Sequence, residues 1–264
     1  MGIEQTVALA KGLLQQLFMS SAPTQLLVFV VHGLIVYAIA FAFLSYFNRK
    51  PEVLQWTPVA PFFAAVSMVF ALFLAFHAAD IWTHKREAER AFIQAGSAIK
   101  RFDEMVGPTQ LNIPDAQREL GRYVKYVFKD EWRKNRNQRG SDRAEGAFRN
   151  LQSIVLQATQ TLPAPTANQL NALMNDIART RSDRLWIGGN HTEVSSWLAV
   201  ILLGFLTHLA VASVHFDRRR AGAVALALLA STTTIGYWSL GIVADPYRHS
   251  GQLNPSAWID NLPE

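Results

Sequence analysis

The chain has 264 residues, 25 lysines and arginines against 20 acidic residues, and no cysteine, so disulfides, thiolate metal sites and cysteine nucleophiles are excluded. Half of the residues are hydrophobic and the mean hydropathy is +0.10, which is too apolar for an ordinary soluble domain. This apolar composition makes the lipid bilayer an expected partner. Basic residues are scattered among acidic ones, so we expect no binding to nucleic acid.

Four apolar runs are each long enough to cross a bilayer as a helix. They are Leu26–Phe47, Val59–Ala79, Trp197–Phe216 and Ala221–Val243. Short loops join the runs in pairs, so we predict an all-α integral membrane protein with four transmembrane helices in two hairpins and a helical soluble segment between spans two and three. The predicted parts are an interfacial helix (1–22), hairpin 1 (23–80), a basic soluble domain (81–190), hairpin 2 (191–243) and a C-terminal tail (244–264).

The first 20 residues place Val7, Leu13 and Leu17 at helical spacing. A basic n-region and a small-residue cleavage site are both missing, so the pattern is not that of a signal peptide. We expect a helix that lies on the membrane surface.

The second apolar run is the centre of the predicted architecture. It has no charge before Asp80, and Trp56 and Trp82 flank it as the aromatic belts of a bilayer would. After Asp80 the sequence continues without proline or glycine through residue 95 and becomes amphipathic. These features predict one long helix that crosses the membrane and runs on into the soluble segment.

The segment after this run carries about the whole net charge, with 18 lysines and arginines against 12 acidic residues between positions 81 and 189. Gly107 ends the long helix, and Pro114 opens a second helix that reaches about residue 134. Asp142 begins a third helix. Thr166 caps a fourth, which runs to Gly189.

Ionisable side chains within the apolar runs are the sharpest chemical signal, because a polar group in lipid is costly unless it is compensated. His32, His77 and His208 fall in three different spans, and Asp80 lies one turn beyond His77. A functional role would be a proton relay, a metal path or a polar ring in a pore. The structural alternative is a set of neutral imidazoles that hydrogen-bond between helices.

Val66, Phe70, Phe73, His77 and Asp80 recur at intervals of three and four residues along the second run. We predict that they line a pore, with an aromatic constriction that resists wetting and charge at its mouth. Helix packing or lipid contact produces the same spacing, and that alternative stays open.

Thr232 and Thr233 belong to a polar run in the fourth span. Such hydroxyls bond back to their own helix and allow close helix approach, and contact with an ion is the second interpretation. No catalytic arrangement, glycine-rich phosphate loop or metal-ligand spacing is present, so we expect no enzyme, no metal site and no cofactor.

Three stretches of the chain contain short motifs that point to a known family. They are residues 88–102 (AERA to IKRF), residues 181–185 (RSDRL) followed by Trp197 and Gly204, and Asp245-Pro246-Tyr247 followed by Gly251, Asn254-Pro255 and Trp258. With these motifs the chain resembles the bestrophin-like membrane proteins, a largely bacterial family of mainly unknown function. Asp245 is followed directly by Pro246, without the residue that the family places between them.

True bestrophins are pentameric anion channels whose neck is lined by apolar and aromatic residues of the second span. The resemblance therefore implies a homo-oligomer, as large as a pentamer, that passes inorganic ions, chiefly anions, with Val66, Phe70 and Phe73 as neck candidates. The acidic Ca²⁺-binding cluster of many bestrophins has no counterpart here. The alternative function is a non-conducting membrane sensor or scaffold, and proton-coupled transport through the histidines is a third.

Orientation follows from the basic residues near the membrane. Eight lysines and arginines lie on the side of the termini and the soluble segment, against five in the two short loops. The positive-inside rule then places both termini and the soluble domain in the cytoplasm. The resemblance implies a multi-pass protein of a bacterial inner membrane.

Overall fold

A computed structural model describes residues 16–18, 20–50, 60–189 and 194–247, together with residues 12, 52, 58, 253, 255 and 258. Within this part of the chain all regular structure is helical, which confirms the predicted all-α class. The elements are α1 (Ala22–Asn48), α2 (Ala60–Val106), α3 (Pro114–Tyr126), a π-helix (Val127–Lys134), α4 (Asp142–Thr159), α5 (Ala164–Gly189), α6 (Val194–Ser213) and α7 (Arg219–Val243). Most of the predicted interfacial helix at 1–22 lies outside the described residues, as does Trp56.

Four helical stretches are long and apolar enough to cross a membrane, by length and composition. They are α1, α2 from Pro61, the stretch Ala164–Ser213 that ends with α6, and α7. The four predicted spans are therefore confirmed as helices. The long second helix is also confirmed, because α2 runs unbroken for 47 residues.

The chain divides into two compact units. The membrane unit comprises the described residues of Met1–Thr83 and Thr192–Asp245, and the soluble unit those of His84–His191 and Pro246–Glu264. Helix α2 contributes its first half to the membrane unit and its second half to the soluble unit. The five-part division drawn from the sequence stays a prediction.

The membrane unit is built on α1, which packs along α7 and also contacts α6. α1 begins after Ser21, whose hydroxyl accepts a backbone hydrogen bond from the first turn. Gly33 brings the backbone of α1 against the hydroxyl of Thr234 on α7. At the far end the side-chain amide of Asn48 donates to the carbonyl of Phe216. Such close contacts hold helices together in lipid, where burial of apolar surface gives little driving force.

The soluble unit has an apolar core formed by the second half of α2 together with α3, α4 and α5. Phe102 of α2, Leu120 of α3 and Leu151 of α4 are each fully buried. α4 begins after Ser141, whose hydroxyl accepts from the backbone N–H of Ala144 at 3.5 Å, as expected for an N-cap. The amphipathic patterns in the sequence therefore correspond to real buried faces.

The predicted second helix is confirmed in its extent from Pro114 to Lys134. Its last eight residues, 127–134, form a π-helix, which the spacing of apolar residues does not distinguish from an α-helix. One local prediction for the soluble segment is wrong. Thr166 does not cap the fourth helix, because α5 begins at Ala164 and the backbone N–H of Ala167 already donates to the carbonyl of Pro163 at 3.0 Å. Pro165 is tolerated there, since the first turn of a helix needs no hydrogen bond from its N–H.

The C-terminal segment contributes two aromatic side chains to the soluble unit. Tyr247 and Trp258 both pack on Trp132, with ring centroids 5.2 and 5.5 Å away. Trp258 also stacks on Phe92 at 5.0 Å. A Cβ atom at Gly96 would lie 2.6 Å from Nε1 of Trp258, so this position of α2 requires glycine.

Candidate functional site

The membrane half of α2 is the least buried of the four spans within one chain. Of the 18 residues in its most apolar stretch 11% are buried, against 39% in the third and fourth spans. Between residues 61 and 83 the buried side chains are Phe70, His77 and Ile81. A span with so few contacts inside its own chain offers most of its surface to lipid, to other copies of the chain or to a pore.

The exposed surface of this half-helix carries a row of large apolar side chains. Met68, Leu72 and Phe76 are 74%, 51% and 66% exposed. Residues four apart lie one above the other on an α-helix, so the three form one continuous face. This face lies opposite the side that holds Phe70 and Ile81.

The predicted pore-lining residues do not share one environment in the structure. The ring of Phe70 packs on the backbone of α6, where a Cβ at Gly204 would lie 3.3 Å from it. His77 meets Trp197 of α6 edge to face, with ring centroids 4.6 Å apart. Val66 is half-buried, whereas Phe73 and Asp80 are exposed. The pore-lining role of these five residues stays a prediction.

A cavity of about 460 Å³ lies between α2 and α6 within the membrane unit. It is lined by Phe73, Phe76, His77 and Asp80 of α2 and by Ser195, Ser196, Ala199 and Val200 of α6. Neither ring nitrogen of His77 has a hydrogen-bond partner in the described part of the chain, although the side chain is only 4% exposed. The structure thus brings the predicted residues Phe73, His77 and Asp80 together at one cavity.

The other predicted intramembrane polar residues lie among α1, α6 and α7. Nδ1 of His208 is 2.7 Å from the carbonyl of Gly204, and its Nε2 has no partner among the described residues. His32 is half-buried, with its ring 6.0 Å from that of Tyr237. The contact of His208 lies within α6 and that of His32 joins α1 to α7, and a role in conduction stays a prediction for both histidines.

Thr232 and Thr233 both bond back to their own helix. Their hydroxyls donate to the carbonyls of Leu228 and Leu229 at 2.9 and 3.0 Å. Thr232 is exposed and Thr233 is buried. Since both hydroxyl protons are used within α7, this geometry favours the structural interpretation of the polar run.

The soluble unit contains a buried charge network that the sequence did not reveal. Glu131 of the π-helix is fully buried and accepts from Arg181 at 2.7 Å and from Arg184 at 2.6 Å, both on α5. Arg181 also pairs with Glu145 of α4. One carboxylate between two guanidinium groups satisfies the charges that burial would otherwise penalise. In the sequence, Glu131 is marked only by its position between apolar residues of a helix.

Electrostatics in this network follow from burial and pairing. The hydrogen bond from Arg181 holds the pKa of Glu145 below its usual value. Burial raises the pKa of the neighbouring Tyr123 to about 12, against the opposing charges of Arg184 and Arg181. The network therefore ties the π-helix to α4 and α5. Over the described residues no group of three histidine, aspartate or glutamate side chains is placed to hold a metal ion.

Comparison with known proteins agrees with the fold. Residues 29–257 match the family model of the bestrophin-like domain, whereas no curated protein matches the chain. A solved structure of a bacterial bestrophin homologue from Klebsiella pneumoniae carrying one mutation is 16% identical, with a TM-score of 0.64 over 91% of this chain and 96% of that chain. A structure of such a homologue from the same organism, phased with zinc, is 15% identical, with a TM-score of 0.62 over 91% and 95%.

At these identities the solved structures show a shared fold and no more. The family model is the stronger finding, because it covers most of the chain and includes the three motifs that carried the resemblance, except for Trp258. The predicted kinship is confirmed: the chain belongs to the bestrophin-like family.

Proposed function

We propose that the protein is an oligomeric channel for inorganic anions, with the membrane half of α2 lining the pore. The observation that carries the proposal is the exposure of this half-helix, in which 11% of the most apolar stretch is buried. The second half of α2 is anchored in a packed core. A ring of identical chains around an axis closes such a surface by symmetry. The kinship with bestrophins supports a ring of up to five copies.

The exposed row Met68, Leu72 and Phe76 is our choice for the narrow section of the pore. A ring of large apolar side chains resists wetting, so ions meet a barrier there without full occlusion. Of the residues predicted from the sequence, Phe73 and Asp80 lie beside this row. Phe70 and His77, which pack on α6, would support the lining helix.

The preference for anions rests on charge. The segment from 81 to 189 has 18 basic residues against 12 acidic ones. A positive field next to a pore raises the local concentration of anions. We also propose that this segment and both termini lie in the cytoplasm of a bacterial cell.

Ion flux tests the proposal directly. The purified protein in liposomes should pass chloride, and Leu72→Ala together with Phe76→Ala should raise the flux by widening and hydrating the narrow section. Leu228→Ala on α7 is the matched control, since Leu228 is 66% exposed but lies on another span. Absence of flux in both wild type and the double variant contradicts the proposal.

Two further measurements test assembly and orientation. Mass measurement in mild detergent should give several subunits per particle, and a strictly monomeric species argues against a ring. Because the chain has no cysteine, Ser141→Cys and Glu52→Cys can be labelled singly in intact cells. An impermeant reagent should modify the second variant and spare the first, and the reverse pattern overturns the cytoplasmic placement.

The alternative function, a membrane-anchored sensor or scaffold, has one observation in its favour. In the soluble unit the large apolar side chains of Leu156 and Trp186 are 64% and 63% exposed. Exposed aromatic side chains are common anchors in protein interfaces. This function would leave the liposomes impermeable to ions.

A further inference from the structure

The cavity beside α2 lies on one flank of the helix, between the face packed on α6 and the exposed row of Met68, Leu72 and Phe76. We propose that it is a binding site for a small amphipathic organic cation, an alkylammonium or quaternary ammonium group with an apolar body. The site does not depend on ion conduction, because its lining belongs to one chain.

The polar end of the cavity accepts a cation and a hydrogen-bonding group. Asp80 supplies the one charged side chain among the described lining residues. His77 is 4% exposed, and both of its ring nitrogens lack a hydrogen-bond partner among those residues. A buried polar group without a partner is costly, and a hydroxyl group carried by the bound cation removes that cost where it reaches the ring. Ser196 adds a hydroxyl at the same end.

The rest of the wall is apolar and partly aromatic. Phe73 and Phe76 come from α2, and Ala199 and Val200 from α6. The faces of aromatic rings attract ammonium groups, so phenylalanine beside a carboxylate is a typical setting for an organic cation. A volume of about 460 Å³ lies within the range of small-molecule sites.

Other ligand classes fit this lining poorly. Calcium takes six to eight oxygen ligands, and zinc sites usually have at least three protein ligands. The cavity offers one carboxylate and one imidazole. An inorganic anion would be repelled by Asp80. The apolar body of an organic cation gains contact with the aromatic wall that an inorganic cation lacks.

Two sources share the ligand chemistry. Asp80 is the first charge after the apolar run and so lies near the level of lipid headgroups. The ammonium group could therefore come from an amine-bearing phospholipid in the bilayer or from a free alkylammonium compound in water. Competition between the two separates them.

The test measures binding of radiolabelled hexyltrimethylammonium by equilibrium dialysis, with the full chain in dodecyl maltoside, an uncharged and amine-free detergent. Empty micelles give the background, and hexanoate is the probe of opposite charge. Asp80→Asn removes the carboxylate. Asp217→Asn is its matched control, because Asp217 is exposed and lies outside the cavity. Ala199→Phe fills the cavity, and Ala227→Phe adds the same bulk at an exposed position of α7.

We expect saturable binding of one probe per chain and none of hexanoate. Asp80→Asn should weaken binding by roughly tenfold or more, as loss of a charged partner does. Ala199→Phe should abolish binding, and both control variants should bind like wild type. Unchanged binding in Asp80→Asn, equal binding of hexanoate, or no saturable binding by wild type overturns the proposal.

Lipids added to the micelles identify the source. Displacement of the probe by phosphatidylethanolamine but not by phosphatidylglycerol assigns the site to a lipid headgroup. Displacement by neither lipid assigns it to a free amine. Equal displacement by both lipids shows that the acyl chains alone fill the cavity, which contradicts a cation site. Binding and flux are separate measurements, so this proposal can fail while the channel proposal stands.

Discussion

The two halves of α2 share one helix but differ in how much of their surface is buried. The second half, from His84 to Val106, buries a continuous face in the soluble unit, including Ala88, Ala95 and Phe102. The first half buries Phe70, His77 and Ile81 and leaves its remaining large side chains exposed or half-buried. Helix geometry is the same in both halves, so the difference lies in their side chains and in what surrounds them.

This contrast shows where one chain is sufficient and where it is not. An amphipathic half-helix stabilises a core by burying its apolar face, and the soluble unit provides that core. A half-helix that is apolar on all sides has no preferred face within its own chain and needs lipid or other chains around it. The membrane half of α2 is therefore the part of the molecule where assembly and function should meet.

The largest expected effect is a difference in stability between two matched variants, one in each half of α2. Phe102→Ala removes a fully buried ring and should lower the free energy of unfolding by about 3–5 kcal/mol. Phe76→Ala makes the same change at a side chain that is 66% exposed and should cost less than about 1 kcal/mol. Urea titration of the purified full chain, followed by fluorescence, measures both. Equal losses of unfolding free energy in the two variants would contradict the distinction between the two halves of α2.

The next effect concerns the charges that hold the soluble unit. Glu131→Gln leaves Arg181 and Arg184 without their buried carboxylate and should cost about 3 kcal/mol. Asp115→Asn breaks an exposed pair with Arg118 and should cost less than about 1 kcal/mol. The same urea titration compares the two, and a Glu131→Gln variant as stable as Asp115→Asn would show that the network is not structural.

The smallest effect is a dependence on pH. The pKa of Glu145 is held below its usual 4.5 by Arg181, so this pair stabilises the folded state above that value and loses its effect as the pH falls through the folded pKa. The Glu145 side chain is 41% exposed, so the contribution should stay below about 1 kcal/mol. Wild type and Glu145→Gln should differ in stability at neutral pH and converge once the pH has fallen through the folded pKa of Glu145. A difference that persists in acid contradicts this origin.

Much of the architecture could be predicted because it rests on local signals. The four spans follow from runs of apolar residues, and the continuity of α2 beyond the membrane follows from the lack of proline and glycine between Asp80 and Ala95. Asp142 marks the predicted start of α4, and the structure adds Ser141 as its N-cap. These features depend on residues that are neighbours in the sequence.

The features that could not be predicted depend on distant residues. The apolar spacing of α2 contains several rows, and contact with Trp197 and Gly204 decides that Phe70 and His77 face α6. The exposed row at Met68 and Leu72 is visible only once that side is known. Glu131 likewise finds its partners about 50 residues further along the chain, on α5.

The central claim, that the membrane half of α2 lines an ion pathway, is tested most directly by cysteine modification during flux. The chain has no native cysteine, so Leu72→Cys and Leu228→Cys each carry one thiol, at exposed positions of α2 and α7. A charged methanethiosulfonate reagent added to proteoliposomes should sharply change chloride flux through the Leu72→Cys protein and leave flux through the Leu228→Cys protein unchanged. Full modification of Leu72→Cys with no change in flux would contradict the account.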